Sequence, residues 1–421
     1  MQVRRSVSLL VLIGALATAV VVGSAAPAGA GFQTYSDATV STPLGMAAAP
    51  DGSLWFTNFG NDSIGRVDPF TGTITNFTSS EVDGPASITV APDGTVWFGN
   101  RNTGTLGRLA GSVIETYPGI EEIDDVEVAA DGSIWFNGFP SSGNERIGRF
   151  DPTTEMLDTF TVGGFVGRMT PHPTDGMWFI WFNASFSAAR IRHVTQTGTT
   201  PGFSTGTVDD PADVTTGVDG RLYYTGEDNH RIGRMNPANG ATASFGLAPE
   251  LVSPNEIISG PDGDLWFTIR SGGRFGRLDP ATGTIVTYRD PTDTVEGGIG
   301  LAEGGDGNLW YTRLDDVVGR LELGQCLGRA VTVDLRLGSR PTPAADVIVG
   351  RRGPDPIRAL GGNDRACGLG GDDTIDGGPG NDVIDGGAGH DALDGGRGFD
   401  SCRGGLGRDT AVNCEARTGI P

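Results

Sequence analysis

The sequence predicts an all-β protein, a seven-bladed β-propeller followed by a small parallel β-roll of nonapeptide repeats. Three observations predict it. A unit of about 42 residues recurs seven times up to residue 324. A Gly/Asp-rich unit of nine residues then recurs almost to the end of the chain, and aromatic residues nearly vanish there. The predicted organisation is a signal peptide over residues 1–30, a propeller over 31–324 and a roll over 325–421.

The first 30 residues have the features of a cleaved signal peptide. Arg4 and Arg5 precede an apolar run from Val7 to Val22, and Ala28-Gly-Ala30 offers a small-residue cleavage site. The run is shorter than the roughly 20 residues that span a bilayer. An uncleaved anchor is the alternative. We therefore predict an extracellular protein, either free or associated with the cell surface, with no membrane span after cleavage.

The net charge of the chain is −22, and all 30 basic residues are Arg. An acidic surface repels the phosphates of nucleic acids and attracts cations. We therefore expect no nucleic-acid partner, and a metal cation or a neutral ligand fits the charge better.

The longer repeat contains an Asp-Gly hairpin, an aromatic residue shortly after it, and a later triplet of the type Ile-Gly-Arg. The Asp and aromatic pairs are Asp51/Trp55, Asp93/Trp97, Asp131/Trp135, Asp175/Trp178, Asp219/Tyr223, Asp262/Trp266 and Asp306/Trp310. The triplets end at Arg66, Arg108, Arg149, His193, Arg234, Arg277 and Arg320. Asp-Gly is typical of hairpin turns, so each unit predicts four short strands. Seven such units predict a propeller, because closing the ring hides most sheet edges.

The two ends of this region predict how the ring closes. The seventh unit lacks its outermost strand, whereas Phe32-Gln-Thr-Tyr35 resembles the fourth strand of the other units. We expect this segment to complete blade 7. The Trp column is predicted to fill the core between blades, and the repeated Arg is predicted to stack there or to pair with a carboxylate.

Polar residues at the predicted channel mouth differ between blades. Blades 3 to 6 carry Asp124, Asp125, Arg168, Asp213, Asn255 and Glu256, where the other blades are small or apolar. Inward carboxylates from adjacent blades suit a divalent cation, Mg²⁺ or Ca²⁺, or a polar ligand. Asp125, Asp213 and Glu256 are the candidate catalytic residues. The alternative is a hydrated mouth whose carboxylates are neutralised by Arg168.

The blade sequences resemble the streptogramin (virginiamycin B) lyase family, whose members are seven-bladed propellers that open a cyclic depsipeptide by Mg²⁺-assisted elimination. The resemblance covers Phe32 to Glu322. The family's lyases carry His before the Asp-Gly hairpin and Glu or His after Trp-Phe-Thr. Neither kind of position matches here; the corresponding residues are Leu44, Ala86, Asp124, Arg168, Ala212, Asn255 and Ile299, then Asn58, Asn100, Gly138, Trp181, Gly226, Ile269 and Arg313. The resemblance implies the fold, and whether the chain is an enzyme stays open.

The nonapeptides have an unbroken register. Their Asp residues are Asp346, Asp355, Asp364, Asp373, Asp382, Asp391, Asp400 and Asp409, and the Gly residues two positions earlier include Gly371, Gly380, Gly389 and Gly398. Each nonamer predicts a turn and a three-residue strand, so that equivalent groups stack every 18 residues. One buried aliphatic side chain per nonamer does not offset the entropy of ordering its backbone. Stacked carboxylates repel as well, so a cation must neutralise them, and Ca²⁺ prefers such oxygen ligands.

The tail resembles the hemolysin-type (repeats-in-toxin, RTX) calcium-binding β-roll, most closely over Gly368 to Val412. The resemblance implies Ca²⁺ ligation by the Asp residues from Asp364 to Asp409 and by the glycine-rich turns. Gly371, Gly380, Gly389 and Gly398 are predicted to let each turn curl until its carbonyls point at the ion. The first nonamers depart from the motif and are predicted to cap the coil. The four cysteines, Cys326, Cys367, Cys402 and Cys414, predict two disulfides in an oxidising compartment. Of three possible pairings we favour Cys326–Cys367 with Cys402–Cys414.

The sequence therefore predicts a secreted calcium-binding protein whose tail folds on Ca²⁺ and whose propeller binds an unknown extracellular ligand or surface polymer. The alternative is an enzyme at the channel mouth, either lyase-like or otherwise assisted by a metal.

Overall fold

The structure is a computed structural model that describes residues 31–69, 71–138, 146–199, 202–248, 251–260, 264–270, 273–290, 299–305, 308–322, 325–326, 329–335, 340–350, 353–368 and 371–420. The predicted signal peptide lies outside these residues. The described part is built almost entirely of strands, which form seven antiparallel sheets followed by a two-stranded hairpin and two parallel sheets. A 3₁₀ turn covers Phe59–Asn61. No described segment forms a helix with the length and apolar character needed to cross a membrane.

Each propeller blade is one antiparallel sheet whose strands are hydrogen-bonded in chain order. Blade 1 comprises Pro43–Ala48, Leu54–Asn58, Ser63–Val67 and Ile74–Thr78. Blade 2 comprises Pro85–Val90, Val96–Asn100, Thr105–Ala110 and Val113–Pro118. Blade 3 comprises Ile123–Val128, Ile134–Gly138, Arg146–Asp151 and Met156–Thr161. Blade 4 comprises Phe165–Pro171, Met177–Phe182 and Ala189–Thr195, with Gly198–Thr199 and Phe203–Ser204 both paired to the third strand.

The remaining blades repeat the pattern. Blade 5 comprises Pro211–Thr216, Leu222–Gly226, Arg231–Met235 and Thr242–Gly246. Blade 6 comprises Pro254–Ser259, Leu265–Ile269, Arg274–Leu278 and Ile285–Arg289. Blade 7 comprises Leu301–Glu303, Leu309–Arg313 and Val317–Glu322, and its outer strand is Gly31–Tyr35. Phe32 pairs with Leu321 and Tyr35 with Val318. The predicted closure of the ring by the N-terminal strand is confirmed.

The core lies between neighbouring blades. Trp97, Trp135, Trp266 and Trp310 are fully buried, which confirms the predicted role of the Trp column. The glycine of the Ile-Gly-Arg triplet lies flat against an aromatic ring of the same blade: a β-carbon on Gly65 would overlap the ring of Phe56. Only glycine lets the third strand approach that ring.

The repeated Arg has the structural role predicted for it. The guanidinium of Arg66 lies 5.7 Å from the ring centre of Trp55, and that of Arg320 lies 5.5 Å from Trp310. Arg66 also pairs with Asp51 at 2.9 Å. These contacts combine cation–π attraction with an ion pair at the blade edge.

After the hairpin Gln325–Cys326 and Arg329–Ala330, the chain winds into the roll. One parallel sheet holds Val333–Asp334, Val347–Val349, Arg365–Cys367, Val383–Ala388, Ser401–Leu406 and Ala416–Thr418. The other holds Pro356–Arg358, Thr374–Asp376, Ala392–Asp394 and Thr410–Val412. The middle residue of most of these strands points inward, and the resulting narrow core includes Ile348, Ile357, Ile375, Ile384 and Leu393. The predicted roll, with two nonamers per coil, is confirmed.

Candidate functional site

The aspartates of the roll form two hydrogen-bonded ladders. The backbone N–H of each Asp donates to Oδ1 of the Asp located 18 residues later. The donor and acceptor pairs are Asp346/Asp364 at 2.7 Å, Asp355/Asp373 at 2.9 Å, Asp364/Asp382 at 2.8 Å, Asp373/Asp391 at 2.9 Å, Asp382/Asp400 at 2.8 Å and Asp391/Asp409 at 3.0 Å. One oxygen of each carboxylate is therefore used to hold adjacent coils together.

The second oxygen of these carboxylates has no protein partner. The residues concerned are at most 2 % exposed, and their Oδ2 atoms are buried without a hydrogen bond; they are Asp364, Asp373, Asp382, Asp391, Asp400 and Asp409. Burying an ionised oxygen without a partner is strongly unfavourable. Six such oxygens in register therefore indicate a group that is supplied from outside the chain.

The glycines of the motif create the space around these oxygens. A β-carbon on Gly377 would lie 2.6 Å from Oδ2 of Asp382, and one on Gly395 would lie 2.9 Å from Oδ2 of Asp400. A side chain at either glycine would fill the space where a ligand of the carboxylate must sit. A cradle of this kind fits an ion rather than a protein side chain.

The second glycine column permits the coils to stack. Gly371, Gly380, Gly389 and Gly398 have positive φ values of 101°, 157°, 146° and 152°. A β-carbon on each would collide with the backbone one coil earlier, for example on Gly389 with the carbonyl of Gly371. The sequence-based interpretation was that glycine lets the turn curl; the structure adds that glycine also lets turns contact one another.

The electrostatics of the ladder favour a cation. The pKa values of Asp373 and Asp382 are raised to about 6, mainly by burial. Backbone hydrogen bonds lower these pKa values, and the carboxylates stacked above and below raise them. Burial also raises the pKa of Asp364 and Asp391. A nearby divalent charge removes this penalty because it stabilises the ionised forms.

The donor set fits Ca²⁺ when backbone oxygens are included. No group of three or more His, Cys, Asp or Glu side chains is arranged to hold a metal ion in the part of the chain that the structure describes. Ca²⁺ takes six to eight oxygen ligands and accepts backbone carbonyls. The Asp Oδ2 atoms would thus supply the charge, and carbonyls of the glycine-rich turns would complete the coordination.

Both ends of the ladder that runs from Asp346 to Asp400 are capped by protein groups. Asp346 lacks a free oxygen because its Oδ2 accepts hydrogen bonds from the backbone and hydroxyl of Thr342, at 2.6 and 3.0 Å. At the other end, Glu415 Oε2 accepts the backbone N–H of Asp400 at 2.7 Å. The hydrogen bonds at Asp346 agree with the prediction that the first nonamer caps the coil and does not bind metal.

The cysteines reinforce the same region. Cys402 and Cys414 form a disulfide, as predicted, and Cys402 occupies the inward position of its nonamer. Cys367 is also disulfide-bonded. The side chain of Cys326 lies outside the described residues, so its pairing with Cys367 stays a prediction.

The channel carboxylates lie together, as the sequence indicated. Two connected cavities of about 240 and 280 Å³ run along the inner strands. The residues that line both are Met46, Ile88, Asp125, Glu127, Arg168 and Glu256, and Asp213 lines the larger. Arg168 Nη1 donates to Asp125 Oδ1 at 2.9 Å, and Arg101 pairs with Asp124 at 2.7 Å. Asp124, Asp125, Arg168, Asp213 and Glu256 therefore line these cavities, whereas Asn255 is not among the lining residues of either.

Their contacts differ from those of a metal site. Asp125 Oδ2 accepts the backbone N–H of Met169 in the next blade at 2.8 Å, and Asp213 Oδ2 accepts that of Ile257 at 2.8 Å. Glu256 likewise accepts from the backbone of Leu301. Each of these carboxylates therefore connects the inner strand of one blade to that of the next.

Blade 4 shows why the connection matters. Its residue in this column is Met169, which has no acceptor for the following blade. The corresponding N–H, that of Val214, is bound instead by Oδ1 of Asp213 at 2.8 Å. Asp213 thus uses one oxygen within its own blade and the other for the next.

Sequence reasoning missed Glu127, which also lines the channel. Burial raises the pKa of Glu127 well above its usual range, and the neighbouring carboxylates, Asp125 and then Asp213, raise it further. The signal was present in the two-residue alternation of a strand, because Glu127 follows Asp125 by two positions and shares its face. The two adjacent columns identified from the sequence contain Asp124 and Asp125 in blade 3 and stop short of Glu127.

Burial is the main cause that raises the pKa of Asp213 to about 7, although the positive charge of Arg168 lowers it. Burial likewise raises the pKa of Glu256. For Arg168, burial lowers the pKa, but Asp125 and Asp124 outweigh it and the net shift is upward. In the described part of the channel, Arg168 and Arg101 therefore lie among carboxyl groups that include Glu127, Asp213 and Glu256, whose pKa values are raised.

Solved structures share the propeller fold. A streptogramin B lyase structure is 23% identical over 70% of this chain and 98% of its own, with a TM-score of 0.60. A catalytically inactive virginiamycin B lyase from Staphylococcus aureus with quinupristin is 23% identical over 70% and 99%, with a TM-score of 0.61. A Kuenenia stuttgartiensis hydrazine synthase is 14% identical over 67% and 96%, with a TM-score of 0.58. At these identities the likeness concerns the fold alone. No curated protein matches the chain.

Two families match the sequence. The RTX calcium-binding nonapeptide repeat matches residues 342–375, 368–402 and 376–411, so the tail is built of calcium-binding repeats. The virginiamycin B lyase family matches residues 17–120 and 121–329, which together are most of the chain. This protein therefore belongs to the virginiamycin B lyase family and carries an RTX calcium-binding tail.

Proposed function

We propose that this is an exported protein whose tail folds when Ca²⁺ binds outside the cell and whose propeller is a binding module. The observation that carries the proposal is the register of six buried Oδ2 atoms without a protein partner. In this proposal the ions lie between successive turns and are held by Asp364 to Asp409, one per nonamer, with the turn carbonyls. Millimolar Ca²⁺ outside the cell saturates even the weak extracellular class of sites, whereas cytosolic levels do not.

Hydrogen exchange of the full-length protein, followed by mass spectrometry with and without a chelator, tests this coupling. Amides of the tail should lose nearly all protection when Ca²⁺ is removed, because binding and folding are one event. Amides of the propeller should not change. Equal protection of the tail in both conditions would disprove the proposal.

The roles of the two oxygens of one carboxylate can be tested separately by substitution. Asp382→Asn keeps an oxygen that accepts the backbone N–H of Asp364 but replaces Oδ2 with an amide that cannot bind a cation. We expect the Ca²⁺ concentration for half-maximal tail folding, measured by circular dichroism, to rise about tenfold, roughly 1.4 kcal/mol. Asp376→Asn is the matched control, since Asp376 is exposed and outside the ladder. An equal effect of both variants would contradict the assignment.

Export also belongs to this proposal. The tail type and the disulfides support an oxidising, extracellular location. Determination of the N-terminus of the mature protein from culture supernatant should give Gly31. Retention of residues 1–30 would support the membrane-anchor alternative. The ligand of the propeller in this proposal is an extracellular molecule or a surface polymer.

A second candidate function is an enzyme that uses the channel. The observation that favours it is Asp213, whose pKa of about 7 suits a general acid or base. A Mg²⁺ or Ca²⁺ ion at the mouth has less support, because the described carboxylates hold backbone groups and Arg168. The enzyme hypothesis is tested by incubating the protein with a cyclic depsipeptide lactone and identifying the product by mass spectrometry. Ring opening that Asp213→Asn abolishes would establish the enzyme, and no turnover would leave the binding module.

A further inference from the structure

The propeller contains an internal example of how a proline turn docks between blades. In two pairs of blades, the Arg of the triplet reaches the turn that joins strands three and four of the next blade. Arg234 Nη1 in blade 5 donates to the carbonyl of Pro280 in blade 6 at 3.2 Å. Arg320 Nη1 in blade 7 donates to that of Pro69 in blade 1 at 3.3 Å.

The same turns pack against the preceding blade through their glycine. At three junctions, a β-carbon on the turn glycine would touch an aromatic side chain in the outer strand of the preceding blade. These pairs are Gly72 with Tyr35, Gly240 with Phe203 and Gly283 with Phe245. A proline turn of one blade thus covers the aromatic edge of its neighbour.

Blade 2 lacks this turn. In the register of strands three and four, Arg66 of blade 1 lies opposite Thr75, and Arg108 of blade 2 lies opposite Glu115. The connection between these strands is therefore two residues shorter in blade 2 than in blade 1. It reads Ala110-Gly-Ser112 and has no proline. A β-carbon on Gly111 would find nothing within 4 Å, so the glycine of this hairpin does not pack against blade 1 as Gly72, Gly240 and Gly283 pack against their preceding blades.

The missing turn leaves a cavity of about 350 Å³ between blades 1 and 2, on the face that carries the Asp-Gly hairpins. Ligand sites span about 300 to 1,000 Å³. Trp55 and Arg66 of blade 1 and Leu109 of blade 2 line the cavity, together with the hairpin carboxylates Asp51 and Asp93. Trp55 lines the cavity and is 8 % exposed.

The Arg at this junction is available to a new partner. Arg66 contacts Ser53, Asp51 and the ring of Trp55, all within blade 1, and its side chain is 39 % exposed. At the junction of blades 6 and 7, which also lacks the turn, Arg277 Nη1 instead donates to the carbonyl of Val331 from the segment after the propeller. The Arg position therefore accepts a carbonyl even from a segment outside the ring.

We propose that the cavity between blades 1 and 2 docks a proline-containing β-turn of a partner polypeptide. The proline ring would lie beside Trp55, and its carbonyl would accept from Arg66, as the carbonyls of Pro280 and Pro69 accept from Arg234 and Arg320. The carboxylates of Asp51 and Asp93 outnumber Arg66, so an Asn-Pro turn is favoured over an Asp-Pro turn. This site is separate from the channel and from the calcium-binding tail.

The probe is a synthetic peptide with the sequence of residues 235–242, Met-Asn-Pro-Ala-Asn-Gly-Ala-Thr, with blocked ends. Binding to the full-length protein in the presence of Ca²⁺ is measured by saturation-transfer NMR and isothermal titration. We expect saturable, sub-millimolar binding, and at least fivefold weaker binding when Ala replaces the proline of the peptide, because proline preorganises the turn. No saturable binding at several millimolar would overturn the proposal.

Two protein variants locate the binding site. Arg66→Gln should weaken peptide binding at least fivefold, while Arg320→Gln, at a junction that is already occupied, should leave it unchanged. Replacement of Ala110-Gly-Ser112 by Asp-Pro-Ala-Thr-Gly should fill the cavity, abolish binding and raise the melting temperature. Equal effects of Arg66→Gln and Arg320→Gln on peptide binding would overturn the proposal. These two variants suffice as a test if the variant with the lengthened turn does not fold.

Discussion

The propeller and the roll are both built from repeats, but they bury different kinds of group. Between blades the chain buries aromatic side chains such as Trp135 and Trp266. Between coils it buries aliphatic residues and cysteines, and it buries a carboxylate in each nonamer as well. Large apolar area lets a blade stabilise itself against its neighbour. The roll buries charged groups around a narrow core, and for this reason we propose that it needs an external cation.

The difference also appears in the hydrogen bonds between repeats. In the propeller, side chains such as Ser87 and Asp125 connect neighbouring inner strands, but the packed aromatics do not depend on them. In the roll, the carboxylate ladder is itself part of the stacking of the coils. The comparison teaches that a regular repeat is stable without a ligand only where apolar packing, rather than charge, fills the space between units.

The largest expected effect comes from truncating one core residue in each region. Trp310→Ala should lower the free energy of unfolding of the propeller by about 3–5 kcal/mol, because the site is fully buried and leaves a large cavity. The loss should be the same with and without Ca²⁺. Urea unfolding monitored by Trp fluorescence reports the propeller alone, since every Trp lies within it.

The matched change in the roll is Ile384→Ala. It should reduce tail stability by about 2–5 kcal/mol in saturating Ca²⁺ and have no effect in chelator, where the tail is expected to be unfolded already. Hydrogen exchange of tail amides measures it. A Ca²⁺-independent loss in the roll would remove the distinction between the two regions.

Two glycine substitutions test the stacking of the coils, and their expected effect on stability is smaller. Gly389→Ala places a β-carbon against the carbonyl of Gly371 at a φ of 146°. We expect a loss of at least about 2 kcal/mol in tail stability from strain and collision. Gly94→Ala, at a φ of 86° with nothing within 4 Å, should cost the propeller only about 1 kcal/mol. Comparable losses would show that the coils are not in contact through their glycines.

The smallest expected effect is the pH dependence of the propeller. The pKa values of Glu127, Asp213 and Glu256 are raised in the folded state, that of Asp213 to about 7. Such groups hold protons longer when folded, so their stabilisation is complete below about pH 4 and is lost as the pH rises towards 7. We expect the free energy of unfolding to fall by about 1 kcal/mol or more between pH 5 and pH 8.

Glu127→Gln sharpens this prediction, because it removes one titrating group from the channel. The variant should flatten the pH dependence measured by urea unfolding at saturating Ca²⁺. A slope that stays unchanged, or stability that rises with pH, would mean that the channel carboxyls ionise as freely as exposed ones.

Much of the architecture was predictable because it is periodic. The spacing of Asp-Gly hairpins gave the blade count, the unpaired segment Phe32–Tyr35 gave ring closure, and the nine-residue Asp register gave the roll. Pairings between strands that are neighbours in sequence follow from such local patterns. The Cys402–Cys414 bridge was a preference among three pairings that only the folded tail could decide.

The sequence by itself determined which groups repeat, and therefore the two folds and the calcium-binding character of the tail. Only the tertiary structure decided what single groups do: that the channel carboxylates connect blades, that Glu127 joins them, and that each ladder Asp from Asp364 to Asp409 gives one oxygen to the backbone and leaves the other without a protein partner. The same holds for the shortened turn of blade 2, whose consequence is a cavity. The physical reason is that these roles depend on contacts with the next blade or coil, and a repeat pattern describes one unit without its neighbour.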